Sequence, residues 1–477
     1  MKNLFGQDWL WRSLPLNQRT GSEVFELLFQ RDCLIATLLE SPFPTPADRP
    51  QLARYSLCAG FPRYVKGQIC LWTPSLGNIT SFLHSLLSTQ AVVAPEIEHL
   101  PFTGGWIGWL GYDFAQEIEK LPYLKSDSLP FPIAYWYEPN AFAVLDHQEQ
   151  VLWLAASTLA ELERLEQLLE QNKSDRSPEK LAITSESSYY PLSFLTSQAD
   201  YEQAVRKGKK YIQAGDIFQT NLSLRFQTAT NADSWSIYRG LQQINPSPFA
   251  SYWQTPWGSV ISCSPERLVQ LQGNIAQTRP IAGTRTRGAT QERDRQLATE
   301  LLTNTKERAE HIMLVDLERN DLGRVCQWGS VEVDELLVTE RYSHVMHLVS
   351  NVKGKLQSNL NAVDLIMSMF PGGTITGCPK VRCMEIIEEL EPVRRNLFYG
   401  SGGYLDRRGN LDLNIFIRTL LYTPSFGRMS PQAIVYGQVG AGIVADSEPE
   451  QEWYESLHKA EAQLAALNLV NSRFAQK

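Results

Sequence analysis

Near the C-terminus, PEQEWYESLHKAEAQLAAL sets Glu452, Glu455 and Lys459 three and four residues apart, on one face of a helix. A second acidic position, Glu310 in KERAEHIMLVDLERND, stands where a helical pattern passes from charged to apolar, at the edge of whatever that apolar face covers. Carboxylates converging from separate helices, with water completing the shell, are how proteins hold Mg²⁺. Such an ion can neutralise a substrate carboxylate. The same spacing suits a solvated, salt-bridged stripe, and spacing alone does not bring the two helices together. Arg418, inside the apolar run NIFIRTLLY, requires a buried anionic partner.

Two further stretches could hold an anion. FPGGTITGCPK at 370–380 can form a nest of backbone N–H groups ahead of a helix, but it lacks the GxxxxGK[ST] order of a nucleotide loop. RPIAGTRTRG at 279–288 sets a Gly-Thr pair among Arg279, Arg285 and Arg287. The chain carries a formal charge of -8, so it has no general basic field to recruit nucleic acid, and these arginines are local. GSGG at 400–403 and GAGIVADS at 440–447 suit turns or close packing.

The elements that must position these residues follow from periodicity. Strand-like runs at 141–146 and 151–157 precede a helical pattern at 159–172; a helix begins near Gln198 and gives way to the alternating DIFQTNLSLRF. One helix is expected over about 291–315, running into a turn at ERNDLGR, then a helix in VRCMEIIEELEP, a strand-like GSGGYLDRRGNLDLNIFIRTLLY and the terminal helix. This is a mixed α/β pattern whose short connections require partly antiparallel strands. The polar, aperiodic 173–190 divides an N-terminal region, 1–172, from a catalytic region, 191–470. The 477 residues are 43% hydrophobic, enough for a large core. Neither a run of roughly eighteen apolar residues nor a signal-peptide core is present, so a cytoplasmic protein without membrane contact is expected. Its 7 cysteines form no CxxC pair, which argues against disulfides and zinc.

Taken in order across about 195–465, GDIFQTNLSLRF, SPERL, RPIAGTRTRG, AEHIMLVDLERNDLGRV, ERYSHVMHLVS, FPGGTITGCPKVRCMEIIEELEP, DLNIFIRT and GAGIVADSEPEQEWYES resemble the chorismate-utilising enzymes. More narrowly they resemble the aminating subunits, aminodeoxychorismate synthase component I and anthranilate synthase component I. LLESP at 38–42, ARYS at 53–56 and PFTGGWIGWLGYD at 101–113 look like the N-terminal part of that family. The resemblance implies an α/β (α+β) fold, a large sandwich of two β-sheets flanked by helices. It also implies that Glu310, Glu452 and Glu455 hold Mg²⁺ against the ring carboxylate of chorismate, flanked by Gly283, Thr284 and His347. Arg418 and Tyr399 would hold the enolpyruvyl carboxylate, helped by the backbone near Gly442 and by Lys459. Glu266 of SPERL would be the general acid for the departing ring hydroxyl, and Ser41 of LLES a contact for bound tryptophan. That chemistry is coherent: a dianion losing hydroxide needs a cation at each carboxylate and a proton at the leaving oxygen.

Gln219 stands where water-adding members of the family carry a lysine base, and a carboxamide cannot take a proton from water, so ammonia is the expected nucleophile. No cysteine lies in a GxCxG-type nucleophile turn, so a separate glutaminase subunit is the expected source of ammonia. The product divides the evidence. QTNLSLRF, DLNIFIRT, the GTITGCPK turn and the moderate length resemble the aminodeoxychorismate branch. Ala282, in PIAGT, occupies the position where that branch has a lysine proposed to attack C2, and there it resembles anthranilate synthase, as LLES and ERYSHVMH do. Extent of similarity favours 4-amino-4-deoxychorismate as product. A non-catalytic regulator would lack some of Glu266, Glu310, His347, Arg418 and Glu455, all of which are present.

Overall fold

The computed structural model describes residues 4–5, 9–31, 33–42, 53–88, 94–171, 191–341, 345–424 and 432–474. The connector read at 173–190 lies outside the described residues, as do residues 342–344 of ERYSHVMH.

Alternation along the strands builds two sheets that face one another. In Gly258–Ser264, Val260 joins a cluster containing Trp109, Trp136 and Leu405, whereas Ile261 joins a second cluster with Val205, Leu241 and Leu467. Leu421 and Leu420 divide the same way on Thr419–Thr423. Successive side chains point to opposite faces. One face of the larger sheet therefore packs on the second sheet, and the other on helices including Gln198–Gln213, Ser234–Ile244 and Pro449–Phe474. The result is the expected sandwich of two β-sheets flanked by helices.

Both sheets, of 13 and 10 strands among the described residues, are antiparallel at every pairing on the route to the site and draw on both halves of the chain. Ala36–Glu40 pairs with Phe249–Thr255 in the larger sheet, and Gly105–Leu110 pairs with Ser401–Asp406 in the smaller. Strands from the two regions on either side of the connector thus lie side by side in one hydrogen-bonded framework.

Local chemistry moves two expected boundaries. The single helix over 291–315 is two, Gln291–Thr303 and Thr305–Gly323, because Asn304 leaves helical geometry and its side chain caps the Glu307 N–H. The second helix carries on through ERNDLG, which was expected to turn; Glu318, Asp321 and Leu322 are buried there, and that packing outweighs the turn propensity of Asn and Asp. The strand-like 401–423 is three strands, of which Ser401–Asp406 and Leu411–Asn414 lie in the smaller sheet and Thr419–Thr423 in the larger. The crossing between sheets occurs at Ile415–Arg418, which places Arg418 between them.

Candidate active site

A cavity of about 640 Å³ opens between the ends of the two sheets and two helices. Gln219, Glu266, Ala282, Gly283, Thr284, Glu310, His347, Tyr399, Arg418, Gly442, Glu452, Glu455 and Lys459 all line it, so every site residue expected from the sequence except Ser41 meets in one place.

One wall is the strand Gln219–Thr230, paired with Ala433–Ile443 so that Asn221 lies opposite Gly442. Gly442 is glycine for want of room: a Cβ there would come within 2.4 Å of Gln219 Nε2. That nitrogen donates to Glu310 Oε1 at 3.0 Å. Glu310 shares one face of its helix with Lys306 and Leu314 at i−4 and i+4, and all three line the cavity. From the terminal helix come Glu452 and Glu455, with Lys459 Nζ bridging Glu455 at 2.8 Å and donating to the Gly440 carbonyl at 3.0 Å. Tyr201 Oη and Ser456 Oγ, 2.9 Å apart, pin that helix from behind.

Burial raises the pKa of Glu310 and of Glu452, and Glu455 raises both further, so the three carboxylates share one electrostatic neighbourhood. Among the described residues they do not close into a cluster of three metal ligands; Glu310 accepts from Gln219 and Glu455 from Lys459. Glu452 Oε2, however, is buried with no hydrogen-bond partner. Three hard oxygen donors, one with an orphaned oxygen, fit Mg²⁺ in kind.

A second wall comes from Ile281–Thr286, whose register against Val345–Lys355 shifts between Ala282 and Thr284. Gly283 takes up that bulge with φ +63, and a Cβ on it would meet Leu301 Cδ1 at 2.7 Å. Thr284 Oγ1 and His347 Nδ1 lie 3.0 Å apart. Burial, assisted by the Arg418 cation, lowers His347 to about 4, so at neutral pH it is an uncharged imidazole that can donate one N–H. The arginines of the same motif serve the scaffold. Arg279 pairs with Glu335 and Glu340, Arg285 with Glu307 and Arg287 with Asp294.

The far end holds the acid and the cation. Burial pushes Glu266 up to about 7, with the neighbouring Thr374 hydroxyl and the Arg418 charge pulling it down. Arg418 has no carboxylate within ion-pair distance among the described residues, so its charge is spent on the cavity and on Glu266. Tyr399, buried against the Arg395 guanidinium 4.5 Å from its ring, has a hydroxyl without a hydrogen-bond partner among the described residues. Tyr399 and Arg418 both have left-handed backbones, φ 66 and φ 52, in residues that ordinarily avoid them.

A family model described as chorismate binding enzyme matches residues 64–465. The chain belongs to the chorismate-binding enzymes. A member named anthranilate synthase component I-like protein, from Synechocystis sp., is 62% identical over 97% of this chain and 92% of its own length. The same organism has a protein named anthranilate synthase component 1, which is 40% identical over 83% of this chain and 82% of its own. Aminodeoxychorismate synthase component 1 of Bacillus subtilis is 48% identical over 77% of this chain and 78% of its own. A crystal structure of anthranilate synthase component I from Streptococcus pneumoniae superimposes with a TM-score of 0.72 at 32% identity, covering 86% of this chain and 92% of that one. This chorismate-binding enzyme is thus related to aminating synthases of both branches, and component I in those names implies a second component. No helix among its described residues is long and apolar enough to cross a membrane.

Ser41 lies apart, in a second cavity of about 140 Å³ with Tyr55, Arg267 and Asp412. Its hydroxyl donates to the Tyr55 carbonyl at 2.8 Å and its N–H to Ser56 Oγ at 3.1 Å, a capping arrangement. Lys306, Asn221 and Thr374 are among the cavity residues that the sequence alone does not mark. Lys306 sits one helical turn before Glu310, Asn221 two strand positions after Gln219, and Thr374 inside the Gly-rich turn. Periodicity from an already suspected residue could have found the first two; nothing in GGTIT marks Thr374 as the neighbour of an acid so far back in the chain.

Proposed function

We propose that this chain aminates chorismate with ammonia supplied by a glutaminase subunit, giving 4-amino-4-deoxychorismate. The observation that carries amination is the single cavity in which a buried carboxyl poised near neutrality faces an unpaired arginine, with a carboxamide, Gln219, where a base for water would stand.

The residues divide the work by charge. Arg418 with the Tyr399 hydroxyl takes the enolpyruvyl carboxylate, and Lys459 adds positive charge. His347, Thr284 and the backbone at Gly283 take the ring carboxylate. Glu310, Glu452 and Glu455 would hold Mg²⁺, which when bound supplies positive charge opposite that carboxylate. Glu266 gives its proton to the departing ring hydroxyl, which leaves as water, while the nitrogen lone pair forms the new C–N bond. The ammonium so formed returns one proton to the Glu266 carboxylate, so the exchange of hydroxyl for amine balances.

For the product, the 48% identity to a protein named aminodeoxychorismate synthase supports the 4-amino compound. So does the Synechocystis pair, in which the protein named anthranilate synthase component 1 is the more distant of the two. Ala282 favours the second reading, anthranilate and pyruvate, because a methyl group cannot add covalently at C2. Purified chain incubated with chorismate, Mg²⁺ and ammonium at alkaline pH separates them by product mass. An amino-chorismate that keeps its enolpyruvyl group is expected, and its formation should stop when the metal is chelated. Anthranilate with pyruvate would overturn the branch, and no amine product would overturn the activity.

Ala282 also yields a directed variant. It is buried on the cavity wall beside the bulge at Gly283, with its side chain toward the site. Ala282→Lys is expected to raise the fraction of C4-aminated product, read as the ratio of the two masses; a ratio that stays put would show that position 282 does not select the product.

A further inference from the structure

Glu318 is a buried carboxyl that the amination chemistry leaves unused. It lies on Thr305–Gly323, beneath the short helix Gly373–Ile375 of the Gly-rich turn. The contact is close: a Cβ on Gly373 would come within 2.3 Å of Leu317 Cδ2 and 3.3 Å of Glu318 Oε1. The Gly373 N–H donates to the Glu318 carboxyl. The other end of the turn is tied separately, by Arg395 Nη1 to the Ile375 carbonyl at 2.8 Å and by the Asn221 N–H to the Thr376 carbonyl at 2.9 Å. Between these ties stands Thr374, which lines the cavity. Its hydroxyl is buried, completes no hydrogen bond among the described residues, and faces the Glu266 carboxyl closely enough to pull it down. A buried hydroxyl normally has a partner. The carboxylate that Glu266 becomes on giving up its proton is an acceptor of that kind.

We propose that Glu318 is a positioning residue for the general acid: through the Gly373 N–H it fixes the turn so that the Thr374 hydroxyl is presented to Glu266. This rests on the reading of Glu266 as the acid and deepens it. When the ring C–O bond breaks, the departing oxygen takes the Glu266 proton, and the Thr374 hydroxyl donates to the carboxylate left behind, with Arg418 as the nearby cation. A hydrogen bond to the charged form makes the acid stronger. Glu318 does its part as a neutral group. Burial holds it well above the ordinary carboxylate range, Asp321 and Glu266 raise it further, and Lys380, itself paired with Asp321, pulls it down. Because the Glu266 charge raises it, Glu318 keeps its proton after Glu266 has lost its own. While Glu266 titrates, Gly373 therefore donates to an uncharged carboxyl, which glutamine reproduces in shape and charge.

Two conservative changes at Glu318 should give opposite results. In the full chain with Mg²⁺, kcat/KM for chorismate is followed against pH at constant free ammonia, and the midpoint of its alkaline fall marks the ionisation of Glu266. Glu318→Gln keeps the acceptor and should leave that midpoint within about 0.2 pH unit of the wild type, whereas Glu318→Asp keeps the acid but draws it one methylene away from Gly373 and should raise the midpoint by about half a unit or more, the worth of one hydrogen bond. Thr374→Val should raise it similarly. With Glu318→Asp and Thr374→Val combined, the shift should be no larger than with Thr374→Val alone, since both act through one hydroxyl. A midpoint that stays put in Glu318→Asp, one that moves in Glu318→Gln, or shifts that add in the double variant would overturn the positioning role. The same ionisation can be read without turnover, from the carboxyl C=O infrared band that Glu266→Gln removes, titrated with and without Glu318→Asp. A wild-type chain that makes no amine product would overturn the amination reading, and the infrared titration would still decide the role of Glu318.

Discussion

Glu266→Gln is expected to lower kcat by about 10²–10⁴-fold, the range a positioned general acid contributes, with the KM for chorismate changed only a few-fold. Glutamine keeps the shape and can still donate a hydrogen bond, but it cannot deliver a proton. The fold should tolerate the change, because what it removes is a carboxyl that burial already makes costly to ionise. Steady-state kinetics of the purified variant, with its circular dichroism as a check on folding, decide the matter. A kcat within tenfold of the wild type would remove Glu266 from the acid role.

The same residue sets a pH dependence whose sign is fixed. An ordinary glutamate, near 4.5, is ionised at neutrality and has no proton to give, whereas Glu266 is pushed up to about 7 and remains half protonated there. The acid-competent form therefore dominates below that value and is lost above it. Plotted against free ammonia rather than total ammonium, kcat/KM for chorismate should fall as pH rises through about 7. The correction matters, because raising the pH also supplies more of the unprotonated nucleophile. The limb should vanish in Glu266→Gln.

Residues such as Glu266 explain how much of this site was legible in the sequence. Helical spacing put Glu452, Glu455 and Lys459 on one face, and alternation put QTNLSLRF in a strand, because these are local consequences of backbone geometry. That Glu310, Arg418 and Glu266 meet could be expected only from resemblance. Their meeting depends on a strand pairing of residues 219–230 with 433–443 and on a crossing between sheets at 415–418, contacts separated by more than a hundred residues. The break at Asn304 was missed for a smaller reason. Asn is a tolerable helix residue and a good N-cap, and only the direction of the second helix decides which role it takes.

Arg418→Met carries the second large effect, and two readouts tie it to the substrate rather than to folding. Removing one partner of a buried charge pair costs roughly 3–5 kcal/mol, so the KM for chorismate is expected to rise by about two orders of magnitude or more. Arg418→Lys should recover part of that loss, since it restores the charge without the planar fork that holds a carboxylate at two points. The second readout is the acid itself. Arg418 pulls the Glu266 carboxyl down, so without the guanidinium the acid limb should move to higher pH; a limb that stays in place would separate the two residues. The backbone argues in the same direction. Position 418 has φ 52, Tyr399 across the cavity has φ 66, and such conformations cost on the order of 1–3 kcal/mol each in residues other than glycine. The chain retains them through main-chain bonds, Cys263 N–H to the Arg418 carbonyl at 3.2 Å and Tyr399 N–H to the Phe416 carbonyl at 2.9 Å. Glycine at 418 would relax the backbone and forfeit the guanidinium. Two residues on strained backbone, one bringing a cation and the other a hydroxyl to the same cavity, are what a carboxylate of the substrate would satisfy together.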